Sequence, residues 1–194
     1  MGTDVWRRGT AIVKSGVTLR IDKASELFDA LVQLGKKEVL VGIPAEKSER
    51  EDIPFSNAAI GYLNEFGSPA KNIPARPHLI PGIRSVETKT TAELKSAAKA
   101  ILDSQPDKAE QALNRAGQIA VQGVQAVITQ SKFVPLADST LAARARRGRK
   151  GAAQELENRK TGLPPDNSNA RPLIDTGTYR RAITYVVRKK NANP

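Results

Sequence analysis

His78 is the only histidine of this 194-residue chain, and there is no cysteine. Those two counts limit covalent chemistry at once. Without cysteine there is neither a thiolate nucleophile nor a disulfide framework, and any imidazole-based triad must run through His78. That residue sits between Pro77 and Leu79 in the stretch "NIPARPHLIPGI", residues 72–83. No G-x-S-x-G nucleophile motif accompanies it. The surroundings read as those of a surface or packed histidine, not of a general base.

Metal and phosphate chemistry are equally poorly supplied. Divalent ions want converging carboxylates or imidazoles. The densest acidic group, Glu46, Glu49, Glu51 and Asp52, is interleaved with Lys47 and Arg50 and reads as a solvated loop. Glu87-Thr88-Lys89 offers an E-x-K of the kind metal-dependent nucleases use, but it falls in a helical pattern, upstream of any plausible acidic partner at Asp107. Neither of the glycine-rich phosphate motifs is present. The expectation is a protein without catalytic residues, cofactor or metal.

Charge is the stronger signal. The 31 Lys and Arg against 20 Asp and Glu give +11, and residues 141–190 alone hold 13 cations against 4 anions. Arg144, Arg146, Arg147, Arg149 and Lys150 place five cations in seven positions. Such a run meets an acidic protein face or neutralises phosphates without reading bases. Phe133 is the one aromatic near it, so contact with DNA would be electrostatic and sequence-blind.

These side chains must be held by elements that the hydrophobic pattern outlines. Residues 10–21, "TAIVKSGVTLRI", read as a hairpin turning at Lys14, Ser15 and Gly16. Asp22 can cap a helix whose stripe is Ala24, Leu27, Phe28, Leu31 and Val32, ended by Gly35. Residues 37–43 form a β-branched strand stopped by Pro44. A helix over 56–66 turns Ala59, Ile60, Leu63 and Phe66 to one side and closes on Gly67 in the left-handed region. The proline strap follows and promises no regular structure.

Beyond the strap the pattern is helical. Ile83, Val86, Leu94, Ala97, Ala98, Ile101 and Leu102 share a face, although "ETKTTAE" is a weak helix former. Asp107 and Glu110 behind Pro106 suggest a capping box. The helix after it carries the best stripe: Leu113, Ala116, Ala120, Val124, Val127 and Ile128. Small residues in it, such as Gly123, permit a close neighbour.

Residues 133–171 carry few large apolar side chains and many breakers, and are expected as an extended basic arm, with Ser139 capping a short helix. Asp175, Thr176 and Gly177 make a structural turn, Asp175 or Thr176 capping the helix after it. Residues 183–188 form the last strand. No apolar run approaches the ~20 residues of a membrane span, and the N-terminus lacks a signal-peptide stretch, so synthesis in the cytoplasm and no membrane partner are expected. The fold expectation is α+β: one domain over residues 1–194, a small, mostly antiparallel sheet packed against two long helices, and a long extended arm before the last strand.

Three blocks of the chain resemble a known family. "NAAIGYLNEFGSPAKNIPARPHLIPGI", residues 57–83, is similar to a signature of tailed-phage proteins at the head–tail junction, the tail-completion, neck or minor tail components. "PLADSTLAARAR", residues 135–146, resembles that family's P-L-S-x-x-T segment, with Asp138 where proline is often seen. "RPLIDTGTYRRAITYVVR", residues 171–188, resembles its P-L-x-D-T-G-x-L-x-x-S-I block, with Tyr179 for leucine and Ala182 for serine.

The resemblance implies a structural virion protein, made in the host bacterial cytoplasm and assembled as an oligomeric ring of six or twelve copies around the DNA channel. Its partners would be other phage connector and tail proteins, with non-specific contact to DNA in the channel. A tail terminator ring fits the same blocks, and a non-viral basic module that binds DNA or protein is the alternative. In a ring subunit, Pro74, Pro77 and Pro81 would stiffen the strap and lower the entropy lost on docking. Arg76 would offer a bidentate fork to a neighbour's carboxylates or carbonyls, or brace its own domain. The expected inter-subunit contacts are Glu65, Phe66, Pro74, Arg76, Pro77, His78 and Leu79. The expected arm contacts are Arg144, Arg146, Arg147, Arg149 and Lys150, with residues 138–170 reaching an adjacent subunit or ring.

Overall fold

The computed structural model describes residues 24–49 and 55–190. The expected N-terminal hairpin, Asp22, Glu51 and Asp52 lie outside them. Chain order is α1 (Ala24–Gly35), β1 (Lys37–Gly42), α2 (Asn57–Phe66), α3 (Leu79–Ser85), α4 (Glu87–Leu102), α5 (Pro106–Gln130), α6 (Asp138–Arg146), α7 (Lys150–Lys160), α8 (Thr178–Ala182) and β2 (Thr184–Lys189), with 3₁₀ turns at Ala45–Lys47 and Pro69–Lys71. The class is α+β, mostly helical. Among the described residues the sheet is one antiparallel pair, Val39 opposite Val187 and Val41 opposite Tyr185.

α5 is the axis of the molecule. It buries Ala109, Ala112, Leu113, Ala116, Ala120, Val124 and Ile128, a 3.6-residue repeat that leaves its other side to polar residues. Leu113 and its alanines join Ala97, Ala100 and Ile101 of α4, with Val39 and Val187 of the sheet laid over them. About three turns further along α5, Val124 and Ile128 meet Tyr179, Ile183 and Ile83. Full burial of a Val or Ile side chain is worth about 1.5–3 kcal/mol, so this second cluster anchors α3 and α8 to the axis. Glycines set the spacing. A Cβ on Gly82 would lie 2.4 Å from Cα of Val124, and one on Gly123 would lie 2.5 Å from the Gly82 carbonyl oxygen. The α3–α5 crossing therefore brings backbone against backbone.

Several expectations change. Residues 133–171 are not an extended arm. α6 and α7 pack as a pair around Leu136, Leu141, Ala152 and Ala170, with Ala145 and Leu156 against them. The helical pattern after the strap starts earlier and breaks once: α3 includes Pro81, and Val86 separates it from α4. Pro81 is tolerated because it occupies the first turn, where an N–H has no helical partner. The weak "ETKTTAE" stretch is helical all the same, packed within the α4–α5 pair.

At the start of α5 no side chain caps the helix. Pro106 opens it, and Glu110 is paired with Lys37. Nor does Ser139 cap α6, whose N-cap is Ala137. In α1 the packed face is Ala30, Leu31 and Leu34, while Phe28 and Val32 are exposed. Gly67 has φ 73 but ψ −179, so it turns the chain without entering the left-handed helical region.

Candidate functional site

The strap is laid against α2. Ser56 caps that helix by accepting the Ala59 N–H at 3.1 Å. Past Phe66 the chain reverses at Gly67, where a Cβ would lie 2.8 Å from the Ala75 nitrogen. The Arg76 N–H then donates to the Asn64 carbonyl at 2.5 Å. Glu65, 7% exposed, points its carboxylate at the start of α3. It accepts the backbone N–H groups of His78 at 2.7 Å, Leu79 at 2.9 Å and Ile80 at 3.0 Å. The next residue is Pro81, which has no N–H, and Gly82 makes the first helical bond, to the His78 carbonyl. Every orphan donor of the helix start is thus accounted for. Burial raises the Glu65 carboxyl, but these three donors and the nearby His78 outweigh it and hold it below its ordinary pKa.

His78 is fully buried. Its Nδ1 lies 2.8 Å from the Arg76 carbonyl oxygen, which can only accept, so Nδ1 carries the proton. Burial pulls the imidazole below its ordinary pKa against the pull of that carbonyl and of Glu65. The neutral Nε2 therefore accepts the Tyr179 hydroxyl at 2.5 Å. The Tyr179 phenol, buried and near the Glu65 charge, is pushed well up and stays a donor. The ring is thereby held between the strap and α8.

The strap's arginine is an internal brace. Arg76, 7% exposed, donates from Nε to the Val134 carbonyl at 3.0 Å and from Nη2 to the Pro135 carbonyl at 3.1 Å. Of the basic run, Arg144 is buried and donates from Nη1 to the carbonyls of Arg171 and Ile174, both at 2.9 Å. Arg147 and Arg149 share Asp175, at 2.8 and 3.0 Å. Burial raises the Asp175 carboxyl, yet the bond from Arg147 and the charges of Arg144, Arg147 and Arg149 bring it below the usual range. Asp175 thus ties down the basic run. Thr176 takes the helix-side role, its hydroxyl accepting the Thr178 N–H at 3.2 Å, with Gly177 at φ 80 as the N-cap.

Of the expected contact residues, Glu65, Arg76, His78 and Arg144 are turned inward. Phe66, Pro77, Arg146 and Lys150 are exposed, and Pro74 and Leu79 are half-buried. Tyr62, 66% exposed, stacks obliquely on Phe66 with ring centroids 5.0 Å apart, and exposed Ile80 lines the same shallow apolar groove. Tyr62 went unremarked in the sequence reading, although its i,i+4 spacing from Phe66 was the available signal. Tyr179, missed as a partner for His78, lies 101 positions away from it and gave no local signal.

Among the described residues no three His, Asp or Glu side chains gather as a metal site, and no helix is long and apolar enough to cross a membrane. Comparison with known proteins finds no matching family model, no matching curated protein and no matching solved structure.

Proposed function

We propose that the protein is a structural component of a tailed-phage virion, a subunit of the oligomeric neck ring that joins the head connector to the tail. The observation that carries this reading is the way the three family-like blocks lock together. Arg76 of the first block donates to Pro135 of the second. Arg144 of the second donates to Arg171 and Ile174 of the third. His78 of the first receives the hydroxyl of Tyr179 of the third. The three family-like stretches, far apart in sequence, thus meet in one hydrogen-bonded unit, to which Tyr179, where the family pattern has leucine, adds a bond particular to this chain.

The unit suits a ring subunit physically. Buried side chains bonded to backbone carbonyls hold the strap in one conformation, which lowers the ordering cost when a neighbour docks. Tyr62, Phe66 and Ile80 beside it offer the aromatic and aliphatic anchors that interfaces favour. Exposed Arg146 and Lys150 remain for an acidic partner or for DNA in the channel. Antibody labelling of purified virions tests the reading: label at the head–tail junction is expected, and particles free of the protein would overturn it.

A further inference from the structure

Between the strap, the end of α2 and the start of α6 lies a cavity of about 680 Å³. Arg76, Arg144 and Arg147 line it, together with Asp175. Arg144, Arg147 and Arg149 all act on this one carboxylate, which is already paired with Arg147 and Arg149. Arg76 and Arg144 are 7% and 9% exposed, and among the described residues neither guanidinium forms a salt bridge or a hydrogen bond beyond those to the carbonyls of Val134, Pro135, Arg171 and Ile174. Their inner nitrogens are spent on neutral carbonyls, which satisfy donors but do not balance charge.

Buried cations without a counter-charge are costly. Burial pulls both guanidiniums below their ordinary pKa, and at Arg144 the attraction of Asp175 is opposed by repulsion from Arg147, Arg149 and Arg76. The remainder of the lining mixes aliphatic side chains, among them Ile60, Ile73, Val134 and Leu173, with the uncharged polar Asn64, Asn72, Thr140 and Thr176.

We propose that this cavity receives a side-chain carboxylate, carried by an otherwise uncharged segment of a partner protein. The recess favours that ligand over nucleic acid. Cations that neutralise duplex phosphates stand on an exposed face, whereas these two are more than nine-tenths buried. A single glutamate side chain reaches them and meets a bidentate fork, while its uncharged neighbours cover the rim. The site belongs to the folded chain by itself, so it is independent of the neck-ring assignment: a protein absent from virions would still bind.

The test is titration of the full-length, ¹⁵N-labelled protein with a short capped peptide bearing one glutamate among valine, leucine and proline, and with its glutamine twin. The glutamate peptide should shift the backbone resonances of Thr140, Leu173 and Gly177, and the twin should bind roughly tenfold more weakly, the loss expected for a charge-assisted pair. Asp175→Asn removes the competing carboxylate and should tighten the glutamate peptide without helping the twin. Arg147→Gln, at an exposed side chain, should weaken it. Equal binding of the two peptides, or shifts confined to other surfaces, would overturn the proposal. So would displacement of the peptide by inorganic phosphate or a short DNA duplex at concentrations below its own.

Discussion

The Tyr179 hydroxyl donates to Nε2 of His78 at 2.5 Å across 101 positions of the chain, with the two rings edge to face. This bond joins the strap to the helix that leads into the last strand. Tyr179→Phe leaves a buried imidazole nitrogen without its donor and should cost about 1–2 kcal/mol in urea denaturation. A Cβ on Gly61 would lie 2.9 Å from the same hydroxyl. Gly61→Ala should therefore cost less in the Tyr179→Phe background than alone, and strict additivity would separate the two sites.

Glu65 serves three N–H donors at once. Glu65→Gln keeps the shape but removes the charge and turns one oxygen into a donor facing donors. The expected loss is about 2–3 kcal/mol, with hydrogen exchange fastest at residues 78–80.

The same pair sets an acid response. His78 is held below its ordinary 6.5, so as pH falls through that value the unfolded chain binds a proton that the folded chain refuses. Glu65 is held below its ordinary 4.5, so the unfolded chain again protonates first. Both effects have one sign: stability is full above pH 6.5 and is lost as pH falls, in a first step from His78 and a second below 4.5 from Glu65. Melting temperature against pH should show both, and His78→Gln should abolish the first alone.

At the α3–α5 crossing no space exists for a methyl group. Gly82→Ala places Cβ 2.4 Å from Val124 Cα and should destabilise by about 3 kcal/mol or more. Gly148, at φ 80 with open space around it, is the control. Gly148→Ala should cost only the strain of a left-handed alanine, about 1 kcal/mol, in thermal unfolding.

The legible parts of the fold are those built on large apolar side chains. The stripe of α5, the strand from Lys37 and the helix between Ser56 and Gly67 all follow from spacing and end signals. The short helix expected behind Ser139 corresponds to α6, but α7 and the packing of the pair were illegible, because half of their core is alanine and Gly151 lets the Asn169 carbonyl sit where a Cβ would be. Glu155, 1% exposed, fills the remaining space, paired with Arg159. Hydropathy reads such a segment as polar and loose. The strap and the basic run were recognised by residue type, but the direction of their side chains was not. Arg76 and Arg144 find carbonyls 58 and 27 positions away, and no local pattern encodes partners at that range.

The neck-ring assignment meets its most direct test in electron microscopy of particles from a phage unable to make this protein. The account predicts DNA-filled heads lying beside separate, finished tails. Abnormally long or ragged tails would move the protein to tail termination. Normal, infectious particles would contradict a joining role altogether.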